Sequence, residues 1–351
     1  MLEKSISRRN FLKLAALSAS GLALQSTPSP NHFDNPFDNE DIARVAARQV
    51  SVYKEPSDKS KILYQHYRDD LVNIYYEVIS DKGPTYNPLW YRVWRGYLHS
   101  AHTQKVQYCL NPVQSFFPKT GQLAEVTVPY TQSMRFVPKT GWTLQYRLYY
   151  QSVHWIIGVD EGPDGEPWYR VLDELLDNVV LNASAAHFRI IQPEELAPIT
   201  PEIPLEHKYI EISLAQQKLW AYEYDKMILE SKISSGLPET EHTPGVVPTN
   251  TPTGNFNVQI KLPSKHMGDG ILTSDIEAYV IPGVPWCSFF EPKTGVAIHG
   301  TYWHTNYGTP MSHGCINVPP EVAKWVYRWT LPITQPGDRS KGGFGTQVIV
   351  H

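Results

Sequence analysis

Within one short segment, His299-Gly300-Thr301-Tyr302-Trp303 is followed by Ser312-His313-Gly314-Cys315-Ile316-Asn317, which gathers histidines, a glycine and a cysteine. These are the parts of a thiol nucleophile. Cysteine attacks as thiolate, and an unperturbed thiol with a pKa of about 8.5 is only a few per cent ionised at neutral pH, so a nearby imidazole is its usual activator. Such a pairing predicts a depressed thiol pKa, readable as rapid alkylation at mildly acid pH. Gly314 permits a sharp turn before the cysteine, so that the amide N–H groups of Gly314 and Cys315 can converge on a developing oxyanion. From spacing alone, either His299 or His313 serves as the base. His299, His304, His313 and Cys315 are also zinc-ligand types, but together they close a coordination sphere and leave no catalytic position open. No Cys-x-x-Cys or His-Glu-x-x-His accompanies them, and no metal or organic cofactor is expected. The remaining alternative is a buried structural cysteine, for which Ser-His-Gly-Cys is an odd way to build a core.

The pattern His-Gly, a gap, then Ser-His-Gly-Cys-Ile-Asn resembles the signature of the L,D-transpeptidase (YkuD-type) catalytic domain of bacterial cell-wall enzymes. Gln217-Lys218-Leu219 resembles part of the strand pair that opens this domain, and Thr251-Pro252-Thr253-Gly254 its turn before a central strand. Pro285-Trp286 and a Trp-bearing helix after the cysteine resemble one exported subgroup. The likeness covers residues 208–351. It implies a β-sandwich with one or two short helices, Cys315 as acyl-forming nucleophile, His299 as base with its ring oriented by the Gly300 carbonyl, and Gly314 with Cys315 as oxyanion donors. His313 then shapes the site, and Ser312 and Asn317 support the loop. Tyr302, Trp303 and Trp286 either line the acyl pocket or serve as hydrophobic packing. The implied partners are peptidoglycan stem peptides, with wall glycan as a further one. The implied reaction is loss of a terminal D-alanine through a thioester, with transfer to an amine; water as acceptor makes an L,D-carboxypeptidase. A rival from another class is a non-catalytic peptidoglycan-binding protein. The family often has Arg at the last motif position, where this chain has Asn317, which leaves the substrate-carboxylate contact unassigned.

The whole chain frames this segment. Its 351 residues suffice for two or three domains. A net charge of -4 offers no basic footprint for nucleic acid. Residues 1–27 read as an address: Ser7-Arg8-Arg9-Asn10-Phe11-Leu12-Lys13 resembles the twin-arginine export motif, and Leu14 to Leu24 is too short an apolar run to cross a bilayer. The expected location is extracytoplasmic, in cell wall or periplasm, with membrane contact only through an uncleaved signal. Three cysteines, Cys109, Cys287 and Cys315, argue against a disulfide framework.

The fold class expected is mainly β. Residues 28–41 read as linker. Pro88-Leu89-Trp90-Tyr91-Arg92-Val93 recurs as Pro167-Trp168-Tyr169-Arg170-Val171, each after a turn-rich stretch. With short strands at close intervals, residues 42–108 and, less clearly, 120–193 resemble bacterial SH3-like barrels, which either target wall polymer or act as spacers. Four prolines in 193–204 predict an extended spacer, placed at 194–207. Beyond it Ile210, Ile212 and Leu214 alternate, as do Trp220, Tyr222 and Tyr224, and Phe256, Val258, Ile260 and Leu262. Val322, Trp325, Val326 and Trp329 recur at helical spacing after Pro319-Pro320-Glu321, predicting a helix that holds the nucleophile loop against the sheet.

Overall fold

Alternating apolar residues build the sheets, although not always in the expected phase. The computed structural model describes residues 41–174, 179–238 and 248–351; the twin-arginine segment and nearly all of the linker after it lie outside the described residues. Residues 41–106 form two open sheets. One has the order Leu71–Ile74, Asp41–Val45, Thr103–Val106; the other runs Ile62–Tyr67, Gln49–Tyr53, Gly96–His99, Leu89–Val93, Tyr76–Ile79. Residues 122–190 form one seven-stranded sheet instead, ordered Gly141–Tyr149, Tyr130–Val137, Val180–Ser184, Pro167–Leu172, Val153–Glu161, Gln122–Val126, Phe188–Ile190. Neither module closes into a barrel among the described residues.

The internal repeat has a physical basis. Trp90-Tyr91 and Trp168-Tyr169 are buried on equivalent strands. In each copy a turn glycine lies against the tryptophan, since a Cβ on Gly83 would stand 2.5 Å from the Trp90 indole and one on Gly162 2.1 Å from that of Trp168. These rings are core, as large aromatic area in a small domain requires.

Residues 208–350 form two five-stranded sheets and a helix. The first sheet runs Lys226–Lys232, Lys218–Glu223, Lys208–Ser213, Gln347–Val350, Gly254–Asn257, with Lys208–Ser213 parallel to Gln347–Val350. The second runs Ile316–Val318, Val296–Gly300, Val280–Glu291, Ile260–Gly268, Lys341–Gly342. Ile210 and Ile212 face the core as expected, but their neighbour strand buries Leu219 and Ala221, so Trp220 and Tyr222 form the outer face. There Tyr222 stacks on Tyr209, centroids 4.7 Å apart. The run from Phe256 to Leu262 is likewise broken. The chain leaves one sheet after Asn257 and joins the other at Ile260, which buries Val258 and Lys261 instead of Ile260 and Leu262. The Lys261 ammonium donates to Thr330 O and Pro332 O at 2.7 and 2.9 Å, beyond the helix C-terminus, where a cation is favoured.

The helix spans Pro320–Trp329, starting with Pro as its first residue, where a missing N–H costs nothing. It buries Ala323, Val326, Tyr327 and Trp329 against the second sheet, with Val322 and Trp325 half-buried beside them. The proline-rich stretch is no free spacer. Leu196 is buried, Arg328 Nε donates to Ala197 O at 2.8 Å, and Lys208 Nζ to Thr200 O at 2.6 Å. Leu123, Val153 and Trp155 of the second module join the same core as Ile298, Ile316 and Val326, so apolar packing runs across the boundary.

Candidate active site

Two adjacent parallel strands set the chemistry. Val296–Gly300 pairs with Ile316–Val318 in the register Ile298 to Ile316, His299 to Asn317 and Gly300 to Val318. Cys315 lies in the bend immediately before Ile316, two positions from Asn317, whose register partner is His299. Both Cys315 and His299 line a cleft of about 480 Å³.

His299 is 2 % exposed, and its Nδ1 lies 3.0 Å from Gly300 O. A carbonyl only accepts, so Nδ1 carries the proton and Nε2 is the basic nitrogen. Burial pushes the imidazole down to about 4, against the raising effect of the Gly300 hydrogen bond. It is therefore neutral at physiological pH, as a base must be. Cys315 differs from expectation. Its thiol is pushed up to about 11, chiefly by burial, with a smaller opposing contribution from a backbone hydrogen bond at Ala297. Its Sγ lies 3.5 Å from Gly295 O, and no hydrogen bond joins it to His299. The resting pair is thiol and imidazole rather than thiolate and imidazolium, because burial disfavours both charges.

The turn before the nucleophile is braced from three sides. Gly314 has φ of 111°, which other residues avoid. Ser312 Oγ donates to Cys315 O at 2.5 Å, and Ser312 N donates to Ser235 O at 3.1 Å. Thr251 Oγ1 accepts from Gly236 N and donates to Gly314 O, both at 2.8 Å. Thr251 and Gly236 were not legible as site residues; the Thr-Pro-Thr-Gly run marked only a turn. Gly236 is needed for space, since a Cβ there would meet Thr249 O at 2.2 Å and Gly314 Cα at 2.9 Å. Thr251→Val keeps the shape but orphans a buried N–H and a buried carbonyl. It is expected to lower the melting temperature and to reduce kcat/KM about 10²-fold by loosening the nucleophile turn, with Thr251→Ser restoring both. Melting curves and steady-state kinetics on the two variants check this.

The remaining residues of interest divide. Asn317 is 1 % exposed and its amide lies 2.9 Å from Nε2 of His304, whose Nδ1 accepts from Asn306 N at 3.2 Å. Burial pushes His304 down to about 3, so it is a neutral strut of the 301–307 loop. His313 is exposed at the rim, its ring 6.3 Å from that of Tyr279. Trp303 lines the cleft, its ring 5.9 Å from His299. Tyr302 also borders it, but its hydroxyl donates to Pro282 O at 2.7 Å and its ring stacks on Tyr149 of the second module. Trp286 lies in the core against Tyr327. Cys287 is buried beneath, and its thiol is pushed well above its ordinary value.

The N-terminal modules reach this loop. Arg44 Nη2 donates to Tyr302 O at 2.7 Å, and the Thr305 hydroxyl lies 3.3 Å from Ser100 O and 3.2 Å from Thr103 O. Residues 275–281 complete the cleft's rim.

Residues 207–350 match the YkuD family, described as the L,D-transpeptidase catalytic domain. YciB of Bacillus subtilis (strain 168), which carries the provisional name of an L,D-transpeptidase, is 28% identical over 133 residues, covering 36% of this chain and 63% of that protein. Among solved structures, the catalytic domain of the Enterococcus faecium L,D-transpeptidase is 31% identical, covering 41% of this chain and 96% of that one, with a TM-score of 0.29. A crystal structure of a mutant L,D-transpeptidase from the same organism is 30% identical over 42% of this chain and 50% of its own, with a TM-score of 0.30. The chain thus spans less than two thirds of the length of the curated relative it matches.

Proposed function

Because residues 207–350 are an L,D-transpeptidase catalytic domain of the YkuD family, we propose that the protein is a Cys315-dependent L,D-transpeptidase that cross-links peptidoglycan stem peptides outside the cytoplasmic membrane, reached by the twin-arginine route. The observation carrying this reading is the pair of Cys315, in the turn just before the strand Ile316–Val318, and His299, on the neighbouring strand, in one cleft, with the imidazole's Nδ1 bound at Gly300 O and its Nε2 left basic.

With both groups neutral at rest, proton transfer accompanies attack. Nε2 of His299 takes the thiol proton as Sγ of Cys315 bonds to the carbonyl carbon preceding the terminal D-alanine of a tetrapeptide stem. The carbonyl oxygen becomes an oxyanion facing the amides of Gly314 and Cys315. Collapse of the intermediate expels D-alanine, whose nitrogen receives the proton from His299, and leaves a thioester. An acceptor amine then attacks, gives its proton to Nε2, and regenerates the thiol as a new amide forms. Residues 42–108 and 120–193 fit this reading as β modules that hold the domain against its substrate, and no cofactor is required.

Intact-protein mass spectrometry of the chain with a disaccharide-tetrapeptide is the test. The expected result is an adduct on Cys315 lacking D-alanine that passes to a cross-linked dimer. Passage to tripeptide alone means that water is the acceptor. Stable binding without an adduct sinks the acyl-transfer reading in favour of a wall-binding protein.

A further inference from the structure

The guanidinium groups of the cleft all come from outside the catalytic domain. Arg44 and Arg68 of the first module and Arg147 of the second line the same cavity as Cys315, whereas the described part of residues 207–350 contributes no Lys or Arg to its wall. Their charges are unevenly answered. Asp69, 6% exposed, is shared between Arg44 Nη1 at 2.9 Å and Arg147 Nη1 at 2.5 Å, so one carboxylate faces two cations. Arg44 uses both terminal nitrogens, Nη1 on Asp69 and Nη2 on Gln104 Oε1 and Tyr302 O, with its guanidinium over the Tyr149 ring at 4.2 Å and only its Nε without a partner among the described residues. Arg147 is less committed. Only its Nη1 is hydrogen-bonded among the described residues, its guanidinium lies over the Tyr130 ring at 4.5 Å, and a quarter of its side chain is open. Arg68 donates to Ile276 O at 2.7 Å and lies 3.6 Å from Glu277, which is open to solvent. Asp275 on the rim accepts the Glu277 amide through Oδ1. With Asp275 and Glu277 counted, these charges balance over the cleft, but a local surplus of one positive charge sits on the Arg44–Asp69–Arg147 triad.

A half-buried guanidinium with an unanswered charge is a carboxylate site in waiting, because charge-assisted hydrogen bonds are strong where water is partly excluded. We propose that Arg147 binds a carboxylate of the donor stem peptide, with Arg44 and Asp69 fixing its position, so that the N-terminal modules supply the anion-recognising half of the substrate site. This rests on the stem-peptide reading given above. The Cys315 half forms and breaks bonds; the Arg147 half selects an acidic peptide and sets its register along the cleft.

The test is calorimetric binding to the full chain carrying Cys315→Ala, using a tetrapeptide with free carboxylates and the same peptide with every carboxylate converted to carboxamide. The free acid is expected to bind about tenfold to a hundredfold more tightly. Arg147→Gln should erase that difference while leaving carboxamide binding within about twofold, and Arg147→Lys should recover part of it. Equal binding of acid and amide by the parent overturns the proposal even where a variant fails to fold. So does unchanged acid binding in Arg147→Gln, and so does no binding of either peptide. In the chain with Cys315 intact, Arg147-dependent binding without a thioester leaves this proposal standing and removes the transferase reading. Thioester formation indifferent to Arg147→Gln does the reverse.

Discussion

Cys315→Ala is expected to lower turnover of a tetrapeptide donor by at least about 10⁴-fold, the scale on which covalent catalysis collapses without its nucleophile. Nothing described beside it can take over. Ser312 directs its hydroxyl at Cys315 O, and Cys287 is sealed in the core with its thiol pushed well above its ordinary value. The fold should tolerate the change, because the thiol's hydrogen bond to Gly295 O, at 3.5 Å, comes from a weak donor. His299→Ala should be milder, at about 10² to 10⁴, since water can replace a base poorly whereas nothing replaces the sulfur. Steady-state rates of D-alanine release, with melting curves as a control on folding, decide the matter. A Cys315→Ala chain that keeps a tenth of the parent rate would exclude the thioester route.

The second large effect is in pH dependence. With the thiol near 11 and His299 near 4, both raised and lowered chiefly by burial, Cys315 is protonated across the physiological range. At pH 7 a thiol of pKa about 11 is roughly 300-fold less ionised than one of about 8.5. Iodoacetamide should therefore alkylate Cys315 far more slowly than exposed Cys109, with a rate climbing about tenfold per pH unit from 7 to 10. The sign is opposite to that expected of a preformed ion pair, which would give a plateau from pH 6 upward. Peptide mapping of the alkylated chain across that range measures it, and a pH-independent rate at Cys315 contradicts the neutral pair. Linkage has the same direction for this group. A thiol raised in the folded state stabilises the fold below about 8.5, and that contribution is lost as pH rises toward 11.

The identity of Cys315 and His299 was legible because reactive side chains announce themselves by type, and the helix over 320–329 because a 3.6-residue period is local. The charge state was not legible, since it depends on how much apolar surface the fold stacks around the site. The phase of the strand Lys218–Glu223 misled because Trp220 and Tyr222 look like core yet form the sheet's outer aromatic face, while Leu219 and small Ala221 fill the inside. Lys261 looked like the polar side of a strand and is buried, its amine donating to Thr330 O and Pro332 O while burial lowers its pKa to about 7. The contribution of the modules could not be read at all. Arg44 and Tyr302 stand 258 positions apart, and no local pattern encodes a hydrogen bond over that distance. The twin-tryptophan repeat indicated that two similar units exist, yet gave no sign that both lean on the cleft.

The parallel pairing of Gln347–Val350 with Lys208–Ser213 has a consequence in time. That strand lies inside its sheet, between Lys208–Ser213 and Gly254–Asn257, and follows all the other described strands in sequence. The strand pairs with segments far upstream in sequence, and such non-local pairing is slow to form. Removing residues 347–350 would leave Lys208–Ser213 and Gly254–Asn257 unjoined, so a change well outside the nucleophile turn is expected to disarm the catalytic domain.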